Sequence, residues 1–202
     1  MPIKGIPLLE IWLEKLSNAG ITEFLINTHH LSEKVYDYIN GSKYKESIKI
    51  VYEKELLGTA GTLLNNLSFF DNQDGIFIHA DNYTLDDLKN FIKFHINRPK
   101  NCLLSMMTFE TDSPSSCGII KKNNDNIVTR FYEKINGNYG NEANSAVYIL
   151  SKEFQKIFLE KYPNSHDFST EVLSSMENKI VAYKTDKLFI DIGTVKNYNS
   201  VK

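Results

Sequence analysis

Two aspartates are the residues of this sequence best placed to do chemistry: Asp81 in Ile78-His79-Ala80-Asp81-Asn82 and Asp191 in Phe189-Ile190-Asp191-Ile192-Gly193-Thr194. Each follows a short apolar run of strand character, and in open α/β sheets the carboxyl ends of strands face the ligand crevice. A carboxylate there can hold Mg2+, a hard cation usually bound by one or two protein carboxylates together with substrate phosphates. Taken singly, each aspartate is as readily explained as the cap of a turn, Asp81 before Asn82-Tyr83 and Asp191 ahead of Gly193-Thr194. A second string, Leu56-Leu57-Gly58-Thr59-Ala60-Gly61-Thr62, sets two glycines around a helix start. There the backbone can approach a flat ligand such as a nucleobase, with its N–H groups free to bond it. A loop-to-helix junction needs the same residues with no ligand at all.

The elements that must position these residues follow from periodicity. Pro7 suits a first helical turn, Leu9, Trp12, Leu13 and Leu16 fall on one face, and Gly20 is a left-handed stop, which predicts a helix over about 7 to 19. Glu23 to Asn27 reads as a strand that ends near His29 and His30, and Ser32 as the cap of a helix ending before Gly41. Ile48, Ile50 and Tyr52 alternate as a strand, Gly58 to Leu67 enters a helix, and Gly75 to His79 is a buried strand, so a parallel α/β sheet is expected. His79 is assigned to packing or a local bond. Beyond Asp81 come a helical stripe through Leu88, Phe91, Ile92 and His95 and an extended run at Cys102 to Met107. A hairpin follows, made by Gly118 to Lys121 and Ile127 to Glu133 around an Asn-rich turn, and then a strand at Ala146 to Leu150. Helices near 152 to 161 and 168 to 177, a strand at 179 to 184 and a short helix from 194 complete the chain. The second half therefore adds antiparallel pieces to the sheet.

Composition narrows the function. The 202 residues are 42% hydrophobic with 23 basic and 25 acidic side chains, so no basic excess points to nucleic acid. Cys102 and Cys117 offer neither metal-ligand spacing nor a disulfide framework, which fits a reducing cytoplasm. Glu10 and Glu14 break the N-terminal apolar stretch, so neither a signal-peptide core nor a membrane span is expected.

Read in order, eight segments resemble the sugar-1-phosphate nucleotidylyltransferases: Pro7-Leu8-Leu9-Glu10, Leu25-Ile26-Asn27, Glu55 to Gly61, His79-Ala80-Asp81, Cys117 to Ile120, Phe131-Tyr132-Glu133-Lys134, Asn144 to Tyr148 and Asp191-Ile192-Gly193-Thr194. The Leu-Gly-Thr-Ala-Gly string looks most like the mannose-1-phosphate guanylyltransferase branch. The resemblance implies one nucleotidyltransferase domain over residues 1–202, with a Rossmann-like three-layer α/β fold and a mixed sheet. It implies formation of an NDP-sugar and pyrophosphate from a nucleoside triphosphate and a sugar 1-phosphate, GTP and mannose 1-phosphate being favoured, in a pathway to surface polysaccharide. By the same resemblance Asp81 and Asp191 hold Mg2+ and are the catalytic pair. Leu57, Gly58, Thr59, Ala60 and Gly61 meet the base, and Gly118, Glu133, Lys134 and Asn144 line the sugar-phosphate pocket.

Three departures stand out. The family's Pro after Glu-Lys is Ile135 here, and its small pair after the pocket asparagine, often Ala-Gly, is Ser145-Ala146. The third is larger, because the family places a strand, a Gly-rich loop with an Arg and a Pro-Lys pair ahead of the segment matching Met1 to Gly5. That strand would lie at the centre of the sheet, between the strands at 23–28 and 75–79. Each buried backbone group left unpaired costs roughly 1 to 3 kcal/mol. The chain is then expected to be a fragment or an internal start, to receive the strand from another polypeptide, or to close its neighbours together. A homo-oligomer and a partner chain supplying the strand are the assemblies this suggests. Little or no nucleotidyl transfer is expected from the polypeptide alone, and the alternative function is a non-catalytic sugar-phosphate or nucleotide sensor or regulatory subunit. A glycosyltransferase ranks last, since Asp81 is followed by Asn82-Tyr83 and not by an Asp-x-Asp cluster.

Overall fold

The computed structural model describes residues 1–134 and 137–202. In chain order the elements are β1 (Pro2–Ile3), β2 (Ile6–Pro7), α1 (Leu8–Asn18), β3 (Phe24–Thr28), α2 (Ser32–Asn40), β4 (Ile48–Tyr52), α3 (Gly58–Asn65), β5 (Gly75–Ile78) and β6 (Asn82–Thr84). They continue with α4 (Leu88–Ile96), β7 (Leu104–Glu110), β8 (Gly118–Lys122), β9 (Val128–Glu133), β10 (Glu142–Leu150), α5 (Lys152–Lys161), β11 (Ile180–Lys184), β12 (Phe189–Asp191) and α6 (Val195–Val201).

Strand β10 organises the sheet. One side pairs antiparallel with β7, and β11 extends that side in parallel. Its other side pairs antiparallel with β5 along Val147 to Leu150 and with β8 at Ala143, and β9 pairs with β8. The sheet is therefore mixed, and the parallel sheet read from the first half is confined to the separate pair β3 and β4. Side-chain alternation along a strand sends successive residues to opposite faces. Val147 and Ile149 join Trp12, Leu88, Phe91 and Val201 in one apolar layer, whereas Tyr148 and Leu150 join Leu63, Phe154, Phe158 and Phe168 in the other. This makes three layers, with α1, α4 and α6 on one face and α3 and α5 on the other.

Several sequence expectations need correction. Pro7 stands at the cap position before α1, and Gly20, at φ +95, closes that helix as expected. Ser32 is the first helical residue of α2 and not its cap, because Leu31 takes the left-handed conformation at φ +54 and no side chain caps the helix. The helix expected over 168 to 177 is instead a π turn over Phe168–Val172 followed by a 3-10 turn over Leu173–Ser175. Ser174 bonds the Thr170 carbonyl and Ser175 bonds that of Val172 at 2.8 Å, so hydroxyl donors compete for carbonyls of the helical ladder. Strands β3 and β5 do not pair: the flanking strands have not closed together, and a groove lies between them. Among the described residues no helix is long and apolar enough to cross a membrane.

One polar chain, buried at His95 and Ser105 and exposed at Asp74, ties α4 to the sheet. His95 Nδ1 lies 2.8 Å from Ser105 Oγ and Nε2 lies 3.2 Å from Asp74 Oδ2, with Arg98 3.7 Å from the same oxygen. The order Asp, His, Ser resembles a hydrolase relay, but Ser105 is fully buried, so the chain is structural. Burial, then the nearby Arg98 charge, pulls the His95 imidazole down to about 4, against the pull of Asp74. The folded state thus disfavours protonation of His95. The resulting stability is present above the unfolded histidine value of about 6.5 and is lost as pH falls through 4, to a limit of about 3 kcal/mol. His95→Gln is expected to flatten the fall in urea midpoint between those pH values; an unchanged pH slope would remove His95 from the account.

Candidate functional site

The two aspartates are brought together by a strand pair that local pattern does not announce. β6 and β12 run antiparallel with Asp191 opposite Asn82, and the Ile192 N–H donates to the Asp81 carbonyl at 3.0 Å. The loop before β6 is fixed from three sides. His79 N–H donates to the Ala146 carbonyl at 3.0 Å, and Asn82 Nδ2 bonds the carbonyls of His79 and Ser145 at 3.1 and 3.0 Å. Trp12 Nε1 reaches the Asn82 carbonyl at 2.7 Å. Asp191 is held by its own turn, its Oδ1 accepting the Gly193 N–H at 2.8 Å and its carbonyl accepting Asn197 Nδ2 at 2.7 Å. The turn-cap reading is therefore correct for one oxygen of Asp191 and leaves the other available.

Both carboxylates are exposed and border the same point. A Cβ placed on Gly193 would lie 3.0 Å from Asp191 Oδ1 and 3.8 Å from Asp81 Oδ2, so the absence of a side chain there keeps a space open between two acceptors. Asp81 and Asp191, the latter with Oδ1 already accepting the Gly193 N–H, are hard oxygen donors of the kind Mg2+ takes from a protein when phosphates complete its shell. The described residues contain no group of three or more His, Cys, Asp or Glu able to hold a metal unaided.

The remaining predicted residues divide into two groups. Glu133 ends β9 and Lys134 follows it, with Lys134 Nζ 3.6 Å from Glu133 Oε1 and the Lys134 backbone at φ +50. Such left-handed backbone in a non-glycine residue is strained and is often found at functional sites. Burial, reinforced by the Asp167 charge, pushes the Glu133 carboxyl up, against the pull of Lys134. Gly118 makes room for this carboxylate, because a Cβ there would lie 2.6 Å from Glu133 Oε2 and 2.8 Å from Phe131 Cζ. Gly118→Ala is accordingly expected to displace Glu133 and Phe131 and to destabilise the protein by about 1 to 3 kcal/mol, read as a fall in urea midpoint; an unchanged midpoint would show that neither side chain is confined by Gly118. Asn144 Nδ2 bonds the buried Tyr148 hydroxyl at 2.7 Å, and its Oδ1 accepts the Ala146 N–H at 3.0 Å. These bonds stabilise a bulge in β10 where Ala146 sits at φ +54, a conformation costing about 1 to 2 kcal/mol that glycine would adopt without strain. Ile135 lies outside the described residues.

The glycine string behaves differently from expectation. Gly58, at φ +75, is where backbone approaches closely, yet what approaches is the chain's own His166: a Cβ on Gly58 would lie 2.3 Å from the His166 carbonyl oxygen. The Ala60 N–H, expected to be free, donates to that carbonyl at 2.9 Å, and Thr59 Oγ1 accepts the Phe168 N–H at 2.8 Å. Leu57 N–H is held by buried Glu53 at 3.3 Å. Thr59 and Ala60 are thus bonded to the segment 166–168, with Gly58 packed against it.

That segment supplies the residue that sequence reading missed. The negative charge of Asp167 bears on His79, Glu133 and Tyr148, in each case as a lesser influence than burial. Burial opposes its ionisation, but bonds from the N–H and hydroxyl of Thr170 hold its carboxyl net below the usual range. In sequence it signals only a helix cap, three residues before Thr170. His79 is half-buried and edge-on to Phe77, and its Nε2 is buried without a partner among the described residues. Burial lowers its pKa despite the three surrounding aspartates.

In a three-layer α/β fold ligands bind in the crevice beyond the carboxyl ends of the strands, and Asp81 and Asp191 stand at such ends, after β5 and at the end of β12. Across residues 1–202 the sequence matches the family described as Nucleotidyl transferase, and the chain belongs to that family. It is 25% identical to a mannose-1-phosphate guanyltransferase of Saccharomyces cerevisiae, over 96% of this chain and 55% of that protein. It is 27% identical to the D-glycero-alpha-D-manno-heptose 1-phosphate guanylyltransferase of Campylobacter jejuni, over 98% of this chain and 85% of that protein. The crystal structure of HddC from Yersinia pseudotuberculosis complexed with GMP-PN superposes with a TM-score of 0.80 at 27% identity, covering 100% of this chain and 86% of that one. The fold is the Rossmann-like α/β fold of these nucleotidyltransferases, and the chain spans only about half the length of the yeast relative.

Proposed function

We propose that this chain forms the metal- and sugar-phosphate-holding side of a sugar-1-phosphate nucleotidyltransferase that joins a nucleoside triphosphate to a sugar 1-phosphate and releases pyrophosphate. The observation that carries the reading is the convergence of Asp81 and Asp191 on the open position beside Gly193. Guanine and a manno-configured sugar are the favoured substrates: the yeast and Campylobacter relatives are both named guanylyl- or guanyltransferases, of mannose and of manno-heptose 1-phosphate. A glucose-1-phosphate adenylyltransferase of Bacillus subtilis matches at 26% identity, so family membership alone does not select base or sugar.

In the reaction an oxygen of the sugar phosphate bonds to the α-phosphorus of the nucleotide as the bond to pyrophosphate breaks. Positioning and charge neutralisation carry most of such a step. Mg2+ held by Asp81 and Asp191 would draw charge from the phosphates during transfer. Lys134, an exposed point charge on a flexible stem, neutralises the sugar phosphate, while Glu133 accepts hydrogen bonds from sugar hydroxyls. Leu57 to Gly61 and the 166–168 segment bound to it form the wall assigned to the base.

Charge argues against efficient turnover by these residues alone. Asp81, Asp167, Asp191 and Glu133 surround the site, whereas both arginines of the chain pair elsewhere, Arg98 with Asp74 and Glu153 and Arg130 with Glu177. A triphosphate therefore meets few fixed cations here, which also favours the second reading, a non-catalytic sensor of sugar phosphate or nucleotide. Residues 1–202 are mixed with GTP, Mg2+ and mannose 1-phosphate, and pyrophosphate release is followed beside calorimetric titration of GDP-mannose. The expected result is binding with little turnover. Turnover comparable to the Campylobacter enzyme would contradict the charge argument, and absence of any binding would overturn the site.

A further inference from the structure

Asn144 and Tyr148 are hydrogen-bonded to each other although they stand four residues apart in one strand, β10. In a regular strand such residues are about 13 Å apart, too far for side chains standing across the strand to meet. The bulge closes that distance: the pairing with β7 shifts between Asn144 and Tyr148, and Ala146 between them takes the left-handed conformation at φ +54. The Tyr148 hydroxyl is a fixed point. Its ring is fully buried, stacked on Phe77 at 6.1 Å and edge-on to Phe168 at 5.2 Å. Burial pushes the phenol above its ordinary value, so it stays a neutral hydroxyl able to accept a bond. The Asn144 amide then has one orientation. The Ala146 N–H can only donate, so Oδ1 faces it at 3.0 Å and Nδ2 turns to Tyr148 at 2.7 Å. A flipped amide would set two donors against each other at Ala146. One N–H of Nδ2 is left over, on a side chain that is only half-buried.

We propose that Tyr148 is a positioning residue of the sugar-phosphate pocket: across the bulge its hydroxyl holds the Asn144 amide so that the remaining Nδ2 N–H donates to an oxygen of the sugar phosphate. The inference rests on the reading that Asn144 lines that pocket. It divides the polar work of the pocket by the sense of each hydrogen bond. Asn144 donates, Glu133 accepts from hydroxyls and Lys134 supplies charge, so the ligand oxygen beside Asn144 must be an acceptor, as a phosphate oxygen is. It also gives the strained Ala146 backbone a purpose, since without the bulge the tyrosine would not reach the asparagine.

Tyr148→Phe keeps the ring and removes the hydroxyl. It is expected to weaken mannose 1-phosphate binding by about five- to tenfold while GTP affinity stays within about twofold, a split that a general loss of stability does not produce. In an Asn144→Ala background the same substitution should cost nothing further, because Tyr148 acts through Asn144. A measurement on the unmodified chain needs no variant to fold: by NMR, added mannose 1-phosphate should shift one Asn144 side-chain amide proton and leave the one bonded to Tyr148 in place. Equal losses of GTP and mannose 1-phosphate affinity, losses that add in the double variant, or an Asn144 amide that ligand leaves unmoved would each overturn the proposal. Failure of the unmodified chain to bind mannose 1-phosphate at all would overturn the functional reading and this proposal with it, whereas the three results just named strike the proposal alone.

Discussion

Gly58→Ala is expected to destabilise the protein by about 3 kcal/mol or more, lowering Tm by roughly 6 to 12 °C. Two penalties add. The left-handed backbone at φ +75 costs a non-glycine residue about 1 to 2 kcal/mol. The new methyl would also lie 2.3 Å from the His166 carbonyl oxygen and 2.4 Å from its Nδ1. The ring can swing away, but the carbonyl is backbone and accepts the Ala60 N–H, so relief breaks a bond worth about 1 kcal/mol and opens the 166–168 segment. His166→Ala in the Gly58→Ala background should therefore restore only a minor part of the loss. Gly61→Ala is the control, since its Cβ would meet the Leu57 side chain at 3.0 Å without a left-handed backbone, and a loss of comparable size would contradict the assignment. Because Asp167 rides on the same segment, the Gly58 variant should also weaken ligand binding where its fold survives.

Asp81→Ala and Asp191→Ala are each expected to lower Mg2+-dependent affinity for GDP-mannose by at least about tenfold, about 1.4 kcal/mol, with turnover falling further. Fold stability should change by less than about 1 kcal/mol, because both side chains are exposed and among the described residues neither carboxylate is in an ion pair. A folding defect large enough to explain the lost affinity would return the aspartates to the role of turn caps. Magnesium removal with a chelator should reproduce the single-variant affinity in the unmodified chain and leave the variants little changed.

How much of this was legible in the sequence depends on the range of the interaction that decides each element. Helix α1, the hairpin of β8 and β9 and strand β11 are set by local periodicity and turn chemistry, and they stand where pattern placed them. Asp81 and Asp191 were recognisable as residues at strand ends, but their meeting depends on two three-residue strands about a hundred positions apart. No local signature specifies such a pairing. Asp167 was hidden for the related reason that its cap role is complete within Thr170, so nothing local calls for a second role. The glycine string reads in sequence as a place where backbone meets a flat ligand, and only the tertiary fold reveals that His166 lies against Gly58. At 168–175 the helical spacing of Phe168, Val172 and Leu173 was visible, but the competing serine hydroxyls that reshape those turns act below the resolution of an apolar pattern.

The central claim is that Asp81 and Asp191 act as one metal-bridged site and not as two independent turn residues. A double-mutant cycle on this pair, read as Mg2+-dependent affinity for GDP-mannose by calorimetry, tests it most directly. The prediction is that each single alanine variant loses nearly all of the magnesium-dependent affinity and the double variant loses no more than either, leaving a coupling energy of at least about 1 kcal/mol. Losses that simply add, or wild-type affinity that does not depend on magnesium, would contradict it.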